Sequence, residues 1–409
     1  MGTACGACAV REGGPTNGRS VESVVGAVDR AIRVARVLPR GESAPTAGTF
    51  ATRKIARRLA ATLALAFALG AAASARATDC YTEIDPVFWE TDVRSLIHAV
   101  TPADIERIRG ELITYIWKAP ALPDALPDVQ TDVANPFADL PDPLNLKRID
   151  ELTVSMDGFT SRMFLFLPAR GVRRLMIFQQ GHANDLASSN GDETVRFFLE
   201  RRYAVLVVHM PLYGLNTGPF PGGGIHDPMF TLETPTLSPF KYFLEPIVRA
   251  VNYAQQVLRY RRVHMIGISG GGWTTTLSAA LDPRIRVSFP VAGTLPMYLR
   301  RQDVYCSRGD WGDLEQHHPV LYSMVDYLDL YILGSYGRRR GQLQVLNQYD
   351  SCCFWGVRYL TYRDILKEVV AGLGRAKYDV FLDSSHTSHL ISRNALDEGI
   401  LPFLRRRHL

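Results

Sequence analysis

Ser269 lies where an apolar strand runs directly into glycines, in the stretch VHMIGISGGGW at 263–273. A serine at such a strand-to-helix turn can adopt a strained backbone conformation that lifts its hydroxyl clear of the sheet. We expect glycine at 267 and 271 because a Cβ at either position would collide across the turn. The helix that begins near Gly271 would point its positive end at a developing oxyanion. The pattern predicts a nucleophilic serine.

A glycine-rich turn after a strand has other interpretations. It could hold a phosphate, but no lysine follows in Walker spacing. A dinucleotide fingerprint normally occupies the first βα unit of its domain, whereas this turn lies deep in the chain. Gly-x-Ser-x-Gly is also short enough to occur by chance. The remaining residues must therefore supply a base and oxyanion donors if Ser269 is to act.

The composition of the 409-residue chain, 46% apolar and 21% charged, is that of a globular protein with a sizeable core. Residues 1–78 contain 11 Lys/Arg and 4 Asp/Glu, whereas the rest contain 35 and 37. The basic excess therefore lies in the N-terminal segment. It gives no indication that the body binds nucleic acid.

A secretory signal is predicted at about 53–77, within a disordered leader spanning 1–78. Basic residues precede an apolar run, and small residues suited to a signal peptidase follow it. The run is short for a membrane span, so we expect none in the mature chain. Because about fifty residues precede it, the start site lies too far upstream or the leader is unusually long. An uncleaved anchor and a buried helix are the alternatives. Export to the periplasm or the medium is the expectation.

The sequence contains six cysteines, which disulfides in an exported protein could use. Cys5 and Cys8 lie in the leader, and no second pair completes a zinc site. The four that would remain in the mature chain are Cys80, Cys306, Cys352 and Cys353. They could be paired in three alternative ways, or they could all stay reduced.

The body is predicted to begin with a helical and proline-rich extension at 79–145. Strand-like segments then alternate with helical ones over 146–409, starting from a hairpin at Asp157-Gly158. This order indicates an α/β fold with a mainly parallel sheet and helices on both faces. Residues 294–340 are a possible cap insertion.

Residues 146–409 resemble the α/β-hydrolase superfamily. The resemblance lies in the Gly267-Ile268-Ser269-Gly270-Gly271 elbow, the upstream turn at 180–182, and an acid and a histidine after the serine. It implies that the histidine follows the last strand and that the acid follows the strand before it.

Two histidines could be the one that follows the last strand. His389 is preferred over His386 because it lies three residues before Ser392, the expected N-cap of the last helix. Asp350, after a strand at 342–347, is the preferred acid, and it would hold the imidazole in its tautomer. The competing acids are Asp364, Asp379 and Asp383.

The resemblance also implies two backbone N–H donors for an oxyanion, from Gly270 and from His182 in Gln180-Gly181-His182. We expect no cofactor and no metal, and we interpret His226-Asp227 as a solvated loop. The chain is expected to be a serine hydrolase that cleaves a carboxylic ester, with a small-molecule or acyl substrate. A serine peptidase and a non-catalytic binding protein of the same fold are the alternatives. The oligomeric state is left open.

Overall fold

The structure is a computed structural model that describes residues 81–140, 146–170, 173–220, 226–300, 311–374 and 376–405. The predicted leader, its signal-like segment and four of the cysteines lie outside these residues. Within them, nine strands form one sheet in the order β1-β2-β3-β5-β4-β6-β7-β8-β9. The strands are β1 Asp128–Gln130, β2 Leu146–Met156, β3 Phe159–Pro168, β4 Arg174–Gln179, β5 Ala204–Val208, β6 Arg262–Ile268, β7 Ile285–Val291, β8 Gly341–Asn347 and β9 Tyr378–Asp383.

The sheet is antiparallel at its start and parallel thereafter. β2 pairs antiparallel with β1 and β3, and β3 pairs antiparallel with β5. Every later pairing, from β5–β4 to β8–β9, is parallel. Asp157 and Gly158 form the predicted hairpin turn with φ values of 46° and 86°. The carboxyl ends of the parallel strands therefore meet at one edge of the sheet.

Helices cover both faces of this sheet, as predicted. The α-helices are α1 Pro102–Trp117, α2 Gly191–Glu200, α3 Phe240–Gln256, α4 Gly270–Leu281, α5 Pro319–Met324, α6 Tyr327–Ser335, α7 Arg363–Gly372 and α8 Leu401–Arg405. Short 3-10 helices lie at Pro86–Trp89, Val93–Leu96, Ala187–Ser189, Asp227–Leu232, Met297–Leu299, Leu314–Gln316 and Arg358–Thr361. The predicted last helix is π-helical over Ala395–Ile400 before α8 continues it.

Two hydrophobic cores lie on opposite faces of the sheet because successive side chains of a strand point to opposite sides. In β4, Leu175 and Ile177 belong to one core, whereas Met176 and Phe178 belong to the other. The first core packs under α1, α3, α4, α6 and α7, and the second under α2 and the C-terminal helix. Buried on both faces, the central strands are almost continuously apolar, which made them recognisable in the sequence.

Between β7 and β8, the described residues of 294–340 form short helices followed by α6. Every residue of α6 is buried, so α6 is the crossover helix that returns the chain to the sheet. None of the described helices has the length and apolar character needed to cross a membrane.

Candidate active site

The elbow between β6 and α4 has the strained geometry that the sequence predicts. Ser269 adopts φ 58° and ψ −127°, which is unfavourable for a residue with a Cβ. A Cβ on Gly267 would lie 2.3 Å from the Gly271 carbonyl oxygen, and one on Gly271 would lie 2.2 Å from the Gln179 carbonyl oxygen. Both glycines are therefore required sterically, as expected. Ser269 is only partly buried.

The sheet register brings the turn at 180–182 against this elbow. β4 and β6 are parallel neighbours, and Gln179 pairs with Gly267, so the turns that follow them meet. A Cβ on Gly181 would lie 2.8 Å from Ser269 Cβ. The His182 ring lies over α4, since a Cβ on Gly270 would lie 2.5 Å from His182 Cε1.

Gln180, whose role the sequence left uncertain, holds this turn through its side chain. Its Oε1 accepts hydrogen bonds from the Gly181 N–H at 3.0 Å and the Ser189 hydroxyl at 2.7 Å. Its Nε2 donates to the Asp185 carbonyl at 2.5 Å. The Gly181 N–H is therefore occupied, and the Ala183 N–H donates to the Gly181 carbonyl at 2.8 Å.

The sheet register also brings Asp350 and His389 together. β8 and β9 are parallel, and Asn347 pairs with Asp383, so the loops that follow them are adjacent. His389 Nδ1 lies 2.8 Å and 2.9 Å from the two oxygens of Asp350. Asp350 is 1% exposed.

Three further donors fix the buried carboxylate of Asp350. The backbone N–H groups of Cys352 and Cys353 donate to Oδ1 at 2.7 Å and 3.2 Å. Asn347 Nδ2 donates to Oδ2 at 3.0 Å and also to the Leu390 carbonyl at 3.0 Å. Asn347 thus links the loop that carries Asp350 to the loop that carries His389, a role that no sequence motif indicated.

A carboxylate only accepts hydrogen bonds, so the proton between His389 and Asp350 belongs to Nδ1. Neutral His389 therefore carries a lone pair on Nε2. This nitrogen is buried and has no hydrogen-bond partner among the described residues. No hydrogen bond joins Nε2 to Ser269 Oγ in this structure.

His386 has a different partner. Its Nε2 lies 3.3 Å from Asp383 Oδ2. Asp383 also accepts hydrogen bonds from Ser385, Ser392 and Asn394. These groups hold the pKa of Asp383 below its usual range although burial, the largest single influence, raises it. In turn, the nearby Asp383 carboxylate raises the pKa of His386, against the effect of its burial.

A second group of titratable side chains lies beside the 180–182 turn. His182 Nε2 is 3.2 Å from Asp313 Oδ2 and 3.4 Å from Glu315 Oε1, and His226 Nδ1 is 3.9 Å from Glu315 Oε1. His226 is 3% exposed, so the predicted solvated loop is wrong at this residue: its ring packs against those of His182 and Tyr213. Glu315 and Asp313 were not singled out in the sequence, where no motif marks them.

The pKa values in this group reflect burial opposed by charge. Burial is the largest influence on the pKa of Glu315 and raises it, but His182 and His226 together lower it below its usual range. Burial raises the pKa of Asp313. The atoms offered by His182, His226 and Glu315 lie within 4.8 Å of one another and could hold a metal ion.

No protein-family model matches the sequence, and no curated protein matches it. Solved structures do resemble it. Acetyl xylan esterase 1 from a Thermoanaerobacterium species matches with 13% identity and a TM-score of 0.47, over 76% of this chain and 97% of its own. Glucuronoyl esterase from Solibacter usitatus matches with 14% identity and a TM-score of 0.47, over 76% and 93%. Est1E from Butyrivibrio proteoclasticus matches with 15% identity and a TM-score of 0.41, over 62% and 97%.

Identities this low carry no information on substrate, and the fold follows from the chain's own topology. The sheet starts antiparallel and continues parallel, a serine elbow follows β6, and Asp350 and His389 follow β8 and β9. The chain has the α/β-hydrolase fold.

Proposed function

We propose that the protein is a serine hydrolase that cleaves carboxylic esters through an acyl-enzyme. Ser269 is the nucleophile, His389 the base and Asp350 the acid that orients it. The observation that carries the proposal is the 2.8 Å contact between His389 Nδ1 and the buried Asp350, in a chain whose Ser269 is held in a strained elbow.

Each group has a defined task in this mechanism. His389 Nε2 accepts the Ser269 proton as Oγ attacks the ester carbonyl, and Asp350 stabilises the resulting imidazolium. The imidazolium then protonates the leaving alcohol, which leaves an acyl group on Ser269. Water, activated by His389, releases the acid. Apo enzymes often lack the serine–histidine hydrogen bond, which tightens when substrate binds.

The oxyanion of the tetrahedral intermediate would be held by the backbone N–H groups of Gly270 and His182. Gly270 is the first residue of α4, so its N–H has no acceptor within the helix. His182 follows Gly181, where an added Cβ would lie 2.8 Å from Ser269 Cβ, so its backbone N–H belongs to the turn that faces the nucleophile. Such donors contribute about 3–4 kcal/mol to the stabilisation of the transition state.

An ester is the substrate class we favour because an alcohol leaves more readily than an amine, so the groups named suffice. A peptidase would use the same groups. A non-catalytic binding protein of the same fold is the other alternative, and covalent labelling of Ser269 distinguishes it from an enzyme. For localisation, we propose export directed by residues 53–77, which N-terminal sequencing of the mature protein would test. A cytosolic chain that retains residues 1–70 would contradict export.

A fluorophosphonate probe tests the nucleophile. We expect covalent labelling of the wild-type chain, none of Ser269→Ala, and slow labelling of His389→Ala and Asp350→Asn. Ser188→Ala is the control because Ser188 is exposed and should leave labelling unchanged. Absence of labelling in a folded wild-type sample would favour the binding protein. Hydrolysis of esters of graded acyl length, beside matched amides, then separates esterase from peptidase.

A further inference from the structure

We propose that His182, His226 and Glu315 bind a divalent transition-metal ion, for which Zn²⁺ is the best match, beside the candidate active site. The evidence for this metal centre does not depend on the proposed ester hydrolysis. It differs from the sequence expectation, which found only an isolated His-Asp pair. The three residues lie in segments far apart in sequence and meet only in the fold.

The environment of Glu315 is the first argument. Its side chain is completely buried, and among the described residues neither of its carboxylate oxygens has a hydrogen-bond donor. No Lys or Arg among the described residues forms an ion pair with it. An isolated buried carboxylate is costly, so such groups are normally paired or coordinate metals. The two histidine nitrogens approach Oε1 only at 3.4 Å and 3.9 Å.

The orientation of His226 is the second argument. Its Nε2 lies 2.6 Å from the Pro211 carbonyl oxygen, and a carbonyl can only accept. Nε2 therefore carries a proton, and in the neutral ring Nδ1 directs a lone pair toward Glu315. A lone pair facing a carboxylate is repulsive, whereas a metal ion between the two groups would be bound by both. Metal-bound histidines usually donate their other N–H to a carbonyl or carboxylate in this way.

The geometry of the ligand atoms is the third argument. With bond lengths of about 2.0–2.2 Å to zinc, neighbouring ligands of a tetrahedral site lie roughly 3.4 Å apart. The separation of His182 Nε2 and Glu315 Oε1 is 3.4 Å, and all three ligand atoms lie within 4.8 Å of one another. Two histidines and one glutamate are a known ligand set for zinc, with a fourth position left for water or another ligand. Asp313 Oδ2, 3.2 Å from His182 Nε2, is within reach of that position.

A metal here would fix the turn that carries the proposed oxyanion donor. His182 follows β4, His226 precedes the 3-10 helix Asp227–Leu232, and Glu315 lies in the 3-10 helix Leu314–Gln316. One ion would join these three loops. It would hold the His182 ring over Gly270. An added Cβ on Gly270 would lie 2.5 Å from His182 Cε1.

Metal binding by the full chain tests the centre directly. After chelator treatment, we expect the wild-type protein to take up Zn²⁺, measured by competition with a chromophoric chelator. Glu315→Gln and His226→Ala should lower the affinity at least about 100-fold, since even loss of an outer partner costs roughly 10–100-fold. The control pair is His318→Gln and Glu233→Gln, because His318 Nε2 lies 3.3 Å from Glu233 but the two belong to no group of three possible ligands within the described part of the chain. These variants should bind like the wild type.

Cobalt substitution in the wild-type chain keeps the test decisive if a variant fails to fold. Cysteines could also take up metal, including Cys352 and Cys353, whose sulfurs lie near His389. A site of nitrogen and oxygen ligands gives Co²⁺ visible bands without thiolate charge transfer, whereas a cysteine site shows that transfer. No uptake, uptake with only thiolate bands, or equal affinity in folded Glu315→Gln would overturn the proposal. Glu315 would then be neutralised by protonated histidine instead.

Discussion

The backbone of Ser269 is strained at the position proposed for the nucleophile. A Cβ-bearing residue at φ 58° and ψ −127° costs on the order of 1–3 kcal/mol. Ser269→Gly should therefore raise the free energy of unfolding by up to about that amount, less the entropy that glycine adds to the unfolded chain. Urea denaturation measures the change, and Ser269→Ala is the control because it retains the strain. If Ser269→Gly were less stable than Ser269→Ala by the full entropy cost of glycine, about 0.5–1 kcal/mol, the elbow would not be strained.

His386 should contribute to stability rather than to catalysis. Asp383 raises its pKa in the folded chain, so the folded state binds the proton more tightly than the unfolded state does. The resulting stabilisation is complete below the unfolded pKa of about 6.5 and disappears as pH rises through the higher folded pKa. The unfolding free energy of His386→Asn should therefore fall furthest below the wild type in mild acid. Urea unfolding at a series of pH values measures this, and a difference independent of pH would contradict it.

At the scale of elements, the sequence predicted what depends on local pattern. The apolar run before Ser269 is β6, the strand predicted at 342–347 is β8, and Asp157-Gly158 located the first hairpin. Thr101 and Asp104 form a local cap at the start of α1, since the Thr101 hydroxyl accepts the Asp104 N–H at 3.2 Å. The preference for His389 over His386 came from its spacing to Ser392, which does cap the last helix through the Ala395 N–H at 2.9 Å.

What the sequence missed depends on contacts between distant segments. The Asn347 side chain donates hydrogen bonds to Asp350 and to the Leu390 carbonyl. The Gln180 side chain accepts one from Ser189 and donates one to the Asp185 carbonyl. Nothing in the local pattern distinguishes an amide in such a role from a surface amide. The π-helical turn at Ala395–Ile400 also has no sequence signature that we identified.

The elbow can be tested as an element by adding one methyl group. Gly271→Ala places a Cβ 2.2 Å from the Gln179 carbonyl oxygen, so β4 and α4 must separate. We expect a loss of roughly 1–3 kcal/mol in unfolding free energy together with loss of fluorophosphonate labelling. Gly110→Ala is the matched control, because Gly110 lies within α1 with nothing within 4 Å of an added Cβ. It should raise stability by about 0.5–1 kcal/mol and leave labelling intact.

Across the molecule, the N-terminal extension is attached to the helices that support the site. Asp329, at the start of α6, is buried and accepts the backbone N–H groups of His98 and Ala99 at 2.8 Å each. Farther along, Arg109 Nε donates to the carbonyl of Ala280 in α4 at 2.9 Å. The helix that follows Ser269 is therefore held by the extension on one side and by the sheet on the other.

Asp329→Ala should loosen this attachment because it leaves the buried Ala99 N–H without its acceptor. We expect a loss of about 1–3 kcal/mol and faster hydrogen exchange at 97–117 than in the strands. Glu368→Gln is the control, since its ion pair with Arg94 also joins the extension to the body but is exposed at both ends. That variant should cost less than about 1 kcal/mol. If exchange rose equally in β6 and in α1, the extension would instead unfold only together with the whole domain.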